Sequence, residues 1–157
     1  MKKWMLLSVM LFFLSGCGST LAVSTLAEPA PDQLLPSQSE GISLELIKNE
    51  FHGSPSAIKT IITNKADGTF EIGPFYHIEL YKENLWYIIT YSDAVFLRDP
   101  HFRDSGISLN SHSEITQEFS VEDLGVELYK GTYRLVKTAV QKEPYHEVMI
   151  AAPFIVH

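Results

Sequence analysis

From residue 42 onward the chain is written in steps of two. Ile42, Leu44 and Leu46 alternate with Ser43 and Glu45; Ile58, Thr60 and Ile62 alternate with Lys59, Ile61 and Thr63. Tyr76, Ile78 and Leu80 alternate with His77, Glu79 and Tyr81, and Val148, Ile150, Ala152, Phe154 and Val156 share one parity. In an extended chain successive side chains point to opposite faces, so this pattern builds sheets with one face toward a core. A helix needs apolar residues at i, i+3, i+4 and i+7, and no run of twelve or more residues beyond the first 14 supplies that stripe. Helix is therefore excluded as the main building element.

Turn residues punctuate the runs. His52 to Ser56 is a cluster containing Gly53 and Pro55, and Asn64 to Gly68 ends in an Asp-Gly pair that marks a tight turn. Gly73 and Pro74 close a short strand begun at Thr69. Lys82, Glu83 and Asn84 turn the strand beginning at Tyr76 back into Leu85 to Tyr91, the clearest hairpin in the sequence. Leu85, Tyr87 and Ile89 oppose Trp86 and Ile88, so both faces of that strand are apolar and it is not expected to be a free edge. Asp93 to Asn110 reads as a long connection with one short strand at Ala94 to Leu97. Glu114 to Phe119, Gly131 to Val140 and Val148 to Val156 complete the set, Pro153 marking an edge or a bulge. Seven or eight short strands at roughly ten-residue spacing predict an all-β, two-sheet antiparallel sandwich, with a small closed barrel as the alternative. Residues 41–157 are long enough to fold without staples.

The first 40 residues are of another kind. Lys2 and Lys3 precede an apolar run from Trp4 to Leu14, interrupted by Ser8, which has the form of a signal peptide and as a helix reaches only about 16 Å, half a bilayer's hydrocarbon core. Leu14, Ser15, Gly16 and Cys17 resemble the lipobox of bacterial lipoproteins. That resemblance implies cleavage after residue 16, a diacylglyceryl group on the Cys17 thiol, and fatty acylation, such as palmitate, of the new amino terminus. Each buried methylene contributes about 0.8 kcal/mol, so two or three chains anchor where one binds only reversibly. Gly18 to Glu40 carries Pro29, Pro31 and Pro36 and no aromatic residue. It reads as a disordered tether spanning about 25 Å root-mean-square. The expected organisation is a signal peptide at 1–16, lipidated Cys17 and tether through 40, and the sandwich domain at 41–157.

A second resemblance enters at Leu128 to Val136. The segment Gly131, Thr132, Tyr133 looks like the entry to the penultimate strand of immunoglobulin-like sandwiches, where a buried tyrosine bonds its hydroxyl to backbone a few residues upstream. The resemblance implies that Tyr133 is this tyrosine corner, with Tyr129 second. Two residues on, where antibody domains place a cysteine, stands Leu135, so packing replaces the disulfide. With Ile58 to Asn64, Trp86 and the terminal strand, the layout is similar to small bacterial immunoglobulin-like domains on lipoproteins. It departs from them in having Tyr76 where a tryptophan is expected.

Composition bounds the chemistry. Cys17 is the only cysteine, which excludes an intramolecular disulfide. Without Lys2 and Lys3 the chain carries 10 basic against 19 acidic residues, a net charge of −9, so no nucleic-acid partner is expected. The histidines, at 52, 77, 101, 112, 146 and 157, show no metal-ligand spacing, and Asp99, His101 and Asp104 lack the alternating ligands of a calcium loop. No metal or cofactor is expected. There is no Gly-x-Ser-x-Gly elbow, and no catalytic residue is named; the protein is not expected to be an enzyme.

The expectation is a lipid-anchored protein on the extracytoplasmic face of a bacterial cell membrane, presenting an immunoglobulin-like binding domain at the cell surface to a protein, peptide or cell-wall polymer. Tyr81, Tyr87 and Tyr91 are the candidate recognition aromatics if they face outward. The alternative is a protease-inhibitor-like or sensor accessory lipoprotein that offers the loop Asp99 to Asn110.

Overall fold

The computed structural model describes residues 22–91 and 106–157, and contains no helix among them. Eleven strands are β1 (Gln38–Ser39), β2 (Ile42–Leu46), β3 (Glu50–Phe51), β4 (Ala57–Asn64), β5 (Phe70–Ile72), β6 (His77–Lys82), β7 (Leu85–Ile88), β8 (Ile107–Leu109), β9 (Ser113–Ser120), β10 (Gly131–Gln141) and β11 (His146–Val156). They form two open sheets, β1-β2-β4-β9 and β3-β11-β10-β5-β8, the second extended by β6 on β10 and β7 on β6. The sandwich, not the barrel, is the architecture.

The alternation read in the sequence decides which side chains meet between the sheets. Ile58 and Phe119 of the smaller sheet pack with Ile78, Tyr133, Leu135, Phe154 and Val156 of the larger. Further along, Ile42, Leu44 and Ile62 pack with Ile72, Ala139, Ile150 and Ala152. Leu135 is fully buried, and the cysteine-free core closes by area burial, roughly 1.5–3 kcal/mol for a side chain of that size. Pro153 has no N–H to offer, and it stands where none is needed. On either side of it, Ala151 and Ile155 direct their amides outward, to the Pro36 and Asn49 carbonyls, while Pro153 opposes Arg134 of β10.

One edge of β10 is shared. β6 pairs with residues 132–136 and β5 with 139–140, leaving Lys137 and Thr138 unpaired on that side where Gly73 to Tyr76 swing away. The larger sheet is split there.

The structure differs from the sequence reading at the amino-terminal side of the domain. Residues 22–37, expected within a disordered tether, form a strap. Thr25 bridges Ile89; the Leu26 and Ala30 amides donate to the Ile88 and Trp86 carbonyls (both 2.8 Å), and Thr90 donates to Ser24. The strap then crosses the outer face of the larger sheet, meets β11 at Pro36, and enters the smaller sheet through β1, which pairs with β2. The domain accordingly begins before residue 41. The segment has too few apolar side chains to fold alone, but β7 is an edge whose free backbone groups it satisfies. This is also how the doubly apolar β7 strand avoids being a free edge.

Candidate binding surfaces

Three features lie outside the plain packing of the sandwich. The first is the fastening of the strap. Gln33 lays its side-chain amide against the β7 edge, accepting from the Trp86 amide (2.8 Å) and donating to the Trp86 carbonyl (3.1 Å), as a neighbouring peptide unit would. Arg134 points from the outer face of β10 into the underside of the strap. Its Nε and Nη2 reach Glu79 Oε2 at 2.7 and 2.6 Å, while Nη1 and Nη2 donate to the Gln33 and Asp32 carbonyls at 3.1 and 2.5 Å. The guanidinium also lies 4.5 Å from the Trp86 ring centroid, and His77 Nε2 is 2.9 Å from the other Glu79 oxygen. Both charges are buried, Glu79 at 1% and Arg134 at 3% exposure. A surface position of a sheet has become an interior one because the strap covers it. The ion pair was not anticipated. The sequence signal was present, in Glu79 and Arg134 at outward parity on predicted strands, but nothing local to either residue says that a segment distant in the chain lies on top.

The second feature is a polar seam inside the sandwich. Inward-facing Thr60, Gln117 and Lys137 separate the two apolar clusters. Thr60 is fully buried and donates to the Gln117 carbonyl (3.1 Å), and the Gln117 Oε1 is buried without a hydrogen-bond partner. Lys137, 2% exposed, donates to the carbonyls of Gly73 and Phe75 at the split in the sheet. Burial pushes its ammonium down to about 7. A cleft of about 310 Å³ opens at the split, lined by Gly73, Phe75, Tyr76, His77, Tyr91 and Lys137 among others.

The third is the distribution of aromatics. Tyr81 is 42% exposed and packs against half-buried Trp86 on the outer face, with ring centroids 4.9 Å apart. Tyr87 is buried, its ring 4.3 Å from Lys82 Nζ, and Lys82 in turn donates to the Thr25 hydroxyl of the strap (2.7 Å). Tyr91 is half-buried and donates to the Tyr76 carbonyl (3.0 Å). Of the three tyrosines weighed as recognition residues, only Tyr81 stands outward, and Trp86 joins it. Parity explains the split, because Tyr87 shares the inward register of Leu80 and Ile89 while Tyr81 opposes Trp86.

Tyr133 is fully buried, stacked on Phe154 at 5.5 Å, and its hydroxyl donates to the Tyr129 carbonyl four residues upstream (2.7 Å). Burial raises its hydroxyl to about 12. Tyr129 is half-buried, and its hydroxyl donates to Glu127 Oε2 (3.1 Å). Among the described residues no group of three or more His, Cys, Asp or Glu is arranged to hold a metal ion. Four described histidines face single carboxylates instead: His77 with Glu79, His112 with Asp67, His146 with Glu40 and His157 with Glu50. Cys17 and the apolar run before it, the strand expected at Ala94 to Leu97, and Asp99, His101 and Asp104 lie outside the described residues, as does most of the loop expected to serve protease inhibition.

A protein-family model described as a bacterial Ig-like domain matches residues 38–154, from the start of β1 to Phe154 in β11. No curated protein matches the chain.

Proposed function

The chain belongs to the family of bacterial Ig-like domains, and from that premise we propose that it is a lipid-anchored interaction module held on the extracytoplasmic face of a bacterial membrane. In this reading residues 1–16 are removed, Cys17 carries the lipid, and the sandwich is offered to a protein, peptide or cell-wall polymer without catalysing a reaction. Tyr133 serves as its tyrosine corner. The observation that carries the binding role is the family match over the whole sandwich. The anchor is supported by Leu14, Ser15, Gly16 and Cys17 following directly on an apolar leader. Partner contact is assigned to the cleft at the split in the larger sheet, where Phe75, 53% exposed, stands beside His77 and Tyr91.

Two measurements test the proposal. Growth with a clickable fatty acid, followed by mass analysis of the isolated protein, should find label on a chain beginning at Cys17, and Cys17→Ser should abolish it. An intact Met1 with an unmodified thiol refutes the anchor. A photocrosslinking residue at position 75, used on intact cells, should capture the same molecule repeatedly. Capture no different from that at exposed Glu45, on the smaller sheet, refutes the cleft as the contact surface.

A further inference from the structure

The strap changes what the anchor can do. A free tether of residues 18–40 would let the sandwich tumble some 25 Å from the bilayer. With Val23 packed on the core and the chain bonded alongside β7 from Ser24 on, only residues 18–22 separate Cys17 from the fastened chain. Even fully extended, that stretch reaches about 21 Å. The β7 edge, where the strap begins, is therefore the part of the sandwich nearest any lipid on Cys17.

That same side exposes apolar groups. Leu26 on the strap is 48% exposed beside Ile88, and on the outer face of the same edge lie Tyr81, 42% exposed, and half-buried Trp86. Leucines seek hydrocarbon, and the amphipathic rings of tyrosine and tryptophan favour the boundary between headgroups and chains. Exposed Glu28 and Asp32 on the strap and Glu83 at the hairpin tip accompany them, which favours a zwitterionic over an anionic lipid surface.

The geometry points to a membrane-docking face: Leu26, Tyr81 and Trp86 rest in the interfacial layer of the bilayer that holds the anchor, fixing the domain in one orientation with the β7 edge down. The inference rests on the lipid at Cys17. Its argument for lipid over a protein partner is the short chain that joins this corner to the anchor.

Trp86 is the reporter, since the other tryptophan, Trp4, lies in the leader and Trp4→Phe silences it if the leader is retained. The full chain from cell membranes is reconstituted into phosphatidylcholine vesicles with and without bromine on the acyl chains. Trp86 fluorescence should be quenched by the brominated lipid, and Leu26→Glu should cut the quenching several-fold, its side chain being exposed and its backbone bond to Ile88 retained. Flotation with the vesicles reads the anchor separately. Flotation with unquenched Trp86 overturns the docking face and leaves the anchor standing; failure to float overturns both. Quenching that survives Leu26→Glu overturns the assignment of the face. Trp86 shielded in cells but unquenched in vesicles assigns the face to a protein partner and overturns lipid docking.

Discussion

Replacing Arg134 by Met removes a buried cation and leaves Glu79 behind it. The guanidinium makes two contacts to the Glu79 carboxylate, at 2.6 and 2.7 Å, and holds the strap through the Asp32 and Gln33 carbonyls. After the substitution a carboxylate at 1% exposure has only His77 beside it. Removing one partner of a buried pair costs about 3–5 kcal/mol, because the remaining charge is desolvated without compensation. Set against a total stability of about 5–15 kcal/mol, that is a large fraction. At about 2 kcal/mol per molar urea, the midpoint of the full chain should fall by about 2 M. Limited proteolysis of the variant should first cut the strap, between residues 22 and 37. The double variant Glu79→Met with Arg134→Met should recover most of the loss, since apolar groups of similar volume substitute for a buried pair at little cost. A midpoint shift below about 0.5 M for Arg134→Met would refute the reasoning, as would a double variant no better than the single one.

Further outcomes are expected from other parts of the sandwich. Lys137 releases its proton near pH 7 when folded and near its ordinary 10.5 when unfolded. Between those values the unfolded chain holds more protons, so stability should rise with pH, by at most about 1.4 kcal/mol per unit. Tyr76 and Tyr133, raised chiefly by burial, act with the opposite sign: their contribution is intact below pH 10 and is lost as the pH passes from 10 toward 12. Urea midpoints at pH 6, 8, 9.5 and 11 should peak near 9.5, and Lys137→Met should flatten the rise; a flat profile in the unsubstituted chain counts against the buried lysine. Tyr133→Phe leaves the Tyr129 carbonyl without its 2.7 Å donor and should cost about 1–2 kcal/mol by chemical denaturation. Gly41 has φ of +85°, and a Cβ there would stand 2.9 Å from the Ala66 amide nitrogen, whereas Gly53, at φ +95°, has open space around it. Gly41→Ala should therefore cost about 2–3 kcal/mol and Gly53→Ala about 1, compared by thermal unfolding.

The strands were legible because burial on one face imposes a period of two on the sequence itself. Ile58, Thr60 and Ile62, or Val148 through Val156, carry that period in their own spelling, and the absence of a 3.6-residue stripe removes helix as a competitor. The turns were legible from glycine, proline and Asp-Gly. The two-residue β1 and β3 were not, because an element that short has no period, and β3 exists only where Glu50 and Phe51 fall alongside the end of β11.

What the sequence determined by itself is thus the all-β class, the inward parity of each long strand, the packed core that does without a disulfide, and the position of the single thiol next to an apolar run. Each depends on neighbours a few residues away. The tertiary structure alone decided that residues 22–37 are a strap, that Glu79 and Arg134 are interior, and that Lys137 sits at a split between β5 and β6. Those outcomes depend on which backbone edge lacks a partner and what lies near enough to satisfy it, a matter of hydrogen-bond accounting and desolvation between segments up to 100 residues apart.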